Sequence, residues 1–338
     1  MRLGIWTPLP NTVQSEPALN AASDQLSTHG RAGEPDLSFN FARDTLTCAE
    51  ECDFDLTLIA QRWLGNDPDC FMLAAALAAS TRKMHIMPAL HPGVIPPAVA
   101  AKMLATLDRL AGGRSAINLV SGWWRDEFNM FSNNAYIDDE TARFKRMNEY
   151  LAVLKGLLEN PSFSFDGEFY QLKDAQLLNR PAQYPRPPIY SASRHEAGKD
   201  LVARECDAWF VPVEPGIDRY EHNLANISKQ VAEMRARAAA YNRELMFGIS
   251  CHVLVAKSDD EAYRMGVELN EAGKKSRLAL ISAKALGAGL FGSAETVAAR
   301  MKCYDEIGVS TFMLHFHPMI EGVKRFAQEV MPLLKKSN

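Results

Sequence analysis

"PPAVAAKMLATLDRLAGGRSAINLVSGWWRDEF", residues 96–128, holds one full period of the pattern that decides the fold. Apolar residues at helical spacing predict a helix over 98–110. Gly112-Gly113 stops it. A short apolar run, Ala116–Val120, then has the length of a buried strand. Ser121-Gly122 breaks the strand, and two tryptophans, an Arg-Asp-Glu triplet and a phenylalanine follow. A buried strand has little use for Asn118, and a surface loop has little use for adjacent tryptophans. The chemistry-bearing residues therefore cluster where this strand ends.

The same alternation runs along the chain. Strands are expected at Leu3–Thr7, Leu56–Ala60, Met84–Leu90, Ala116–Val120, Pro188–Ser191, Ala208–Val211, Met246–Ala256 and Thr311–His315. Amphipathic helices are expected at 39–52, 71–81, 98–110, 141–158, 196–205, 217–241, 294–307 and 320–335, with Ser38 and Ser293 as N-caps. Eight strands alternating with eight helices predict an α/β fold, the (β/α)8 TIM barrel. A doubly wound open sheet is the alternative, but no glycine-rich dinucleotide fingerprint follows the first strand.

Three connections are long for a plain barrel: 8–37, 159–187 and 257–292. In the second, Asp166-Gly167 between alternating aromatics signals a hairpin. The third carries Lys274, Lys275 and Arg277, then a Gly- and Ala-rich segment, and reads as a candidate mobile lid with glycine hinges. No internal repeat or linker stands out, so one domain covering 1–338 is expected.

Composition narrows the function classes. An apolar share of 47% suffices for a buried core. A net charge of −4 gives no reason to expect nucleic acid or an anionic membrane as partner. No apolar run approaches the roughly 20 residues of a membrane helix, and the first residues read as a strand rather than a signal peptide. The six cysteines match no zinc or redox spacing, which fits reduced thiols and a cytoplasmic location.

The stretch 96–128, with "ARFKRMNEYLAVLKGLL" (142–158), "FGISCHVLVAKSDDEA" (247–262) and "GSAETVAARMKCYDEIGVSTFML" (292–314), resembles the bacterial-luciferase superfamily. The likeness is to its two-component monooxygenases acting on alkanesulfonates, dimethyl sulfone and pyrimidine rings. It implies a luciferase-like barrel, reduced FMN delivered by a separate NAD(P)H-dependent flavin reductase, O2 as oxidant, and a homodimer or homotetramer. A small organosulfur substrate with C–S cleavage is the first expectation. A nitrogen heterocycle, a coenzyme F420-dependent oxidoreductase and a non-catalytic flavin-binding protein are the alternatives.

The resemblance places flavin contacts at Gln61, Arg62, Asn118, Glu127, Arg143 and Phe144. Asn118 can offer amide donors and an acceptor to a planar heterocycle, or bond neighbouring backbone. Glu127 either meets the cofactor or pairs with an arginine such as Arg125. Arg62 and Arg143 read as ligand contacts or as surface charges. Phe144 stands where relatives have Tyr, which removes one hydroxyl. The turn Ser193-Arg194-His195, after a strand and before a helix, is the phosphate candidate. Relatives have Gly-Gly-Ser-Ser over that turn, so its hydroxyl pattern differs here. His252, His317 and His91, at strand ends, are the catalytic candidates for proton delivery. A core histidine is the alternative for His252. No carboxylate accompanies these histidines at metal-ligand spacing, so no metal is expected.

Overall fold

The computed structural model describes residues 1–9, 38–63, 67–121, 125–131, 135–274 and 286–335. Trp123, Trp124, Lys275, Arg277 and most of the first long connection lie outside them, as do the side chains of Ser38 and Lys274.

All eight expected strands form: β1 (Arg2–Trp6), β2 (Leu56–Ile59), β3 (His85–Leu90), β4 (Ile117–Leu119), β7 (Ile189–Ser191), β8 (Ala208–Phe210), β9 (Met246–Val255) and β11 (Val309–Phe316). Hydrogen bonding runs β9-β11-β1-β2-β3-β4-β7-β8, and β8 pairs with β9. The ring closes, giving a parallel eight-stranded TIM barrel with flanking helices. Central strands such as β2 and β4 are buried at every position and are apolar apart from Thr57 and Asn118. Between the barrel strands lie a hairpin, β5 (Phe163–Asp166) with β6 (Gln171–Ala175), and a two-residue strand, β10 (Phe291–Gly292), parallel to β9. The hairpin turn spans 167–170 rather than Asp166-Gly167 alone. The buried Glu149 carboxylate accepts from the backbone N–H of Glu168, Phe169 and Tyr170 at 2.8–3.3 Å.

Contacts gather the chain into two compact units. Unit one comprises Met1–Thr57, Phe210–Met234 and Met246–Asn338; unit two comprises Leu58–Trp209 and Arg235–Leu245.

In unit one, the third long connection differs from the expected lid. Its first part is a helix, Asp259–Lys274. Residues 286–291 belong to the core: Leu286, Ala288 and Leu290 have no exposed surface, and Phe291 is buried. Buried Asn223 donates to the carbonyls of Gly287 (2.7 Å) and Glu214 (3.1 Å) and accepts from the Glu214 N–H (2.8 Å). A Cβ at Gly287 would stand 1.8 Å from the Glu214 carbonyl oxygen, so glycine here permits close backbone approach rather than hinging. Only 275–285, outside the described residues, remain of the lid expectation.

In unit two, Asp108 fixes the entry to β4. The helix Pro97–Leu110 ends at Gly112 and Gly113, with φ of +62° and +81°, values an L side chain rarely adopts. The fully buried Asp108 carboxylate accepts from the Ser115 hydroxyl (2.8 Å), the Gln183 N–H (2.8 Å) and the Gln183 side-chain amide (2.6 Å). Removing the acceptor leaves several buried donors unsatisfied. Asp108→Ala is expected to lower the unfolding free energy by roughly 3 kcal/mol. Urea denaturation checks this, and a loss below about 1 kcal/mol would contradict the account.

Candidate functional site

In unit two the candidate residues stand at the carboxyl ends of β2, β3, β4 and β7, where barrel enzymes carry their sites. Gln61 is buried and committed to the chain: its amide oxygen accepts from the Cys70 N–H at 3.0 Å, and its nitrogen reaches Asp69 at 3.4 Å. Asp69 caps the helix Cys70–Ser80 by accepting from the N–H groups of Phe71 and Met72. Gln61 therefore positions the loop after β2, a structural duty that its sequence context did not reveal.

Arg62 and Glu127 face each other at 3.9 Å with side chains 8% and 1% exposed. The Trp63 N–H also points to the Glu127 carboxylate, at 3.4 Å. Of the two readings open for Glu127, pairing with an arginine holds, but the arginine is Arg62. Arg125 instead meets Asp138 at the surface. A buried pair of this kind fixes geometry more than it adds stability.

Three buried polar atoms beside this pair have no partner among the described residues: Trp63 Nε1, His91 Nδ1 and Asn118 Oδ1. His91 lies flat on Phe128, with centroids 5.6 Å apart, and feels the Arg62 charge. Asn118 sits on β4 in register with Ala89 on β3 and Tyr190 on β7. The backbone bond considered for Asn118 does not engage its amide oxygen. Buried polar atoms are nearly always bonded, so these three make this region the candidate site among the described residues. Trp63 is the residue the sequence reading passed over. Its signal was an indole three to four residues beyond a buried strand, in "LIAQRW".

The phosphate candidates form a second group. Ser193 is buried, and a Cβ on Gly198 would come 2.0 Å from its hydroxyl and 2.5 Å from the Phe144 ring. The start of the helix Glu196–Glu205 is thus seated closely on Ser193 and Phe144. Its N-cap residue, His195, makes no side-chain cap bond; its ring packs near Phe144 at 5.9 Å and pairs with Glu140 at 2.7 Å. Arg194 is exposed. The Arg143 guanidinium donates to the Ile137 carbonyl at 2.8 Å and lies over the Tyr136 ring at 5.4 Å, while its buried Nε has no partner among the described residues.

In unit one, β9 and β11 carry His252 and His315 as direct cross-strand partners. Their rings are 4.9 Å apart, and Trp6 of β1 stacks on His315 at 4.9 Å and 16°. The Trp6 indole donates to Ser250 at 2.9 Å. His252 Nδ1 is buried and unpartnered among the described residues. His317 lies beyond the end of β11 and lines a cavity of about 250 Å³ with Val253, Met265, Phe316, Glu321 and Arg325. The described residues hold no cluster of His, Cys, Asp or Glu suited to a metal ion.

Burial, with the Arg62 charge adding, pushes His91 down to about 4. Burial does the same to His252, with His317 adding, again to about 4. His315 is driven well below the usual imidazole range by burial and by His252. All three are neutral at pH 7. A native pKa below the unfolded one gives stability that is complete above pH ~6.5 and declines as the pH falls towards ~4. His91→Phe keeps a ring on Phe128 but cannot titrate. Between pH 7 and pH 5 the variant should lose about 2 kcal/mol less stability than the parent, read by urea unfolding at each pH. Equal losses would show that His91 is not held neutral by burial.

A family model of luciferase-like monooxygenases matches residues 1–311. Among solved structures, the chain is similar to monooxygenase RslO1 from Streptomyces bottropensis, at 22% identity and TM-score 0.76, covering 98% of this chain and 99% of that one. It is similar to the EDTA monooxygenase EmoA from Chelativorans sp. BNC1, at 18% identity and TM-score 0.77, covering 99% and 93%. It is also similar to a coenzyme F420-dependent tetrahydromethanopterin reductase from Methanopyrus kandleri, at 16% identity and TM-score 0.72, covering 98% of each chain. At these identities the solved structures speak for the fold, while the family match spans nearly the whole chain: it belongs to the luciferase-like monooxygenase family of flavin-dependent enzymes.

Proposed function

We propose that the protein is the oxygenase of a two-component system. It takes reduced FMN from a separate NAD(P)H-dependent flavin reductase and uses O2 to oxidise a small organosulfur compound, an alkanesulfonate or a sulfone, with cleavage of a C–S bond. The observation that carries the flavin reading is the set of orphaned buried atoms beside the Arg62–Glu127 pair: Trp63 Nε1, His91 Nδ1 and Asn118 Oδ1. An isoalloxazine ring presents hydrogen-bond donors and acceptors along one edge, and this set offers an indole donor, an imidazole and an amide acceptor. The residues present therefore fit the cofactor. Ser193, Arg194 and the uncapped start of the helix Glu196–Glu205 would hold its phosphate through backbone N–H groups and the helix dipole.

Reduced FMN, when bound, supplies the electrons that activate O2. The chain's own part is to bind, orient and exclude water. The Arg62–Glu127 pair holds the loops after β2 and β4 in place. Neutral His252, with one nitrogen unengaged, is suited to hold or move a proton near neutral pH. The organosulfur assignment is supported by the resemblance of the segment 118–123 to sulfur-directed relatives.

Binding comes first in the test. Asn118→Ala and Arg194→Glu should each weaken reduced-FMN binding by about tenfold, roughly 1.4 kcal/mol, in anaerobic titrations. Unchanged dissociation constants in both folded variants would remove the cofactor from this end of the barrel. Turnover comes second. With reduced FMN from any generic reductase, isotopically labelled O2 should deliver one labelled oxygen into the product. Sulfite or sulfinate should appear from sulfones and sulfonates. Hydride transfer to or from coenzyme F420 without oxygen incorporation would overturn the assignment.

A further inference from the structure

Three adjacent parallel strands of unit one present one lateral row of rings. Trp6 ends β1, His315 lies near the end of β11, and His252 lies on β9. The register sets His315 opposite His252, and it pairs Ile5 with Leu314, so Trp6 falls next to His315. The stack follows from that register: Trp6 on His315 nearly parallel, His252 tilted by 47° against it. Ser250 accepts the indole N–H and so sets the rotation of Trp6. Trp6 and His252 are half-buried, which leaves part of the row uncovered by the described residues.

The row carries no charge. Burial keeps both imidazoles neutral, and no Lys, Arg, Asp or Glu among the described residues bears on either ring. Arg325, on the cavity that His317 lines, is committed to the Val255 carbonyl at 3.0 Å and lies 3.9 Å from Glu329. An anion moved from water against such a surface loses hydration and meets no Lys or Arg among the described residues, a cost that a neutral molecule avoids. A flat neutral molecule instead gains ring-on-ring contact. It can also satisfy His252 Nδ1, a buried atom of the row that lacks a partner among the described residues.

We infer that Trp6, His315 and His252 form a substrate wall that selects an uncharged, flat-faced compound, with one hydrogen-bonding group directed to His252, and rejects an alkanesulfonate. This rests on the flavin-monooxygenase reading above and narrows its substrate class to the uncharged members. Trp6 and His315 are specificity residues here, and Ser250 is a positioning residue that acts through Trp6.

The test compares two probes of one shape and different charge, methyl phenyl sulfone and benzenesulfonate, by calorimetry on the full-length protein. Titrations are run with and without reduced FMN under anaerobic conditions. The sulfone should bind at least tenfold tighter than the sulfonate. Trp6→Ala and His252→Leu should each weaken sulfone binding about tenfold and leave reduced-FMN affinity within twofold. Trp6→Phe retains a flat ring and should stay within threefold of the parent, which separates loss of the wall from loss of the fold. Ser250→Arg adds a cation beside the row and should shift the preference towards benzenesulfonate. Sulfonate binding as tight as the sulfone, no sulfone binding at all, or wild-type sulfone affinity in both Trp6→Ala and His252→Leu would each overturn the inference. A sulfone preference without reduced-FMN binding would sink the flavin reading and leave the wall standing. Reduced-FMN binding without the preference would do the reverse.

Discussion

Parallel strand pairing is the constraint on which the other features depend. Consecutive parallel strands must be entered from the same end, so each needs a crossover return, usually a helix. The pairing of β8 with β9 closes the ring and leaves no barrel strand with an open edge. Parallelism also gives every strand its carboxyl terminus at a site-bearing end. In unit two that places Trp63, His91, Asn118 and Ser193 just at or beyond β2, β3, β4 and β7. In unit one it places Trp6, His252 and His315 in one row across β1, β9 and β11.

Buried polar groups are treated in two ways. Asp108 accepts from Ser115 and Gln183, Asn223 bonds Glu214 and Gly287, and Glu149 gathers three backbone donors. Each saturates a buried group and ties distant parts of one unit together. By contrast, Trp63, His91, Asn118 and His252 each keep a buried polar atom without a partner among the described residues. Unsatisfied buried groups are costly, and a polar ligand at these strand ends would offset that cost. Neutral histidines belong to the same arrangement, since burial removes their charge rather than pairing it.

The strand-end position of the candidate residues was legible from residue types. Asn118 was singled out from its oddness inside an apolar run, and its buried amide oxygen has no partner among the described residues. His252 was placed on one face by alternation and sits in that row. Gln61, Glu127 and Arg143 were only partly legible. Gln61 turned out to hold the Cys70 N–H, Glu127 to meet Arg62, and Arg143 to bind the 137 carbonyl. Side chains of one type serve equally as ligand contacts and as loop braces, and the choice depends on neighbours tens of residues away. The glycines of 286–292 misled for the same reason. Glycine permits both hinging and close approach, and only the Glu214 carbonyl against Gly287 decides between them.

The sequence by itself determined the eight strands, their order of alternation with helices, and the family to which the chain belongs. Those properties reside in local periodicity, glycine stops and short motifs, all of which act over a few residues. Only the tertiary structure decided that Arg62 and Glu127 form a buried pair, that Trp63 leaves an indole N–H open, and that Trp6, His315 and His252 stack into a neutral row. Residues 6, 252 and 315 are far apart in the chain and meet through strand register. Register is set by the summed packing of a whole closed sheet rather than by any short stretch of sequence.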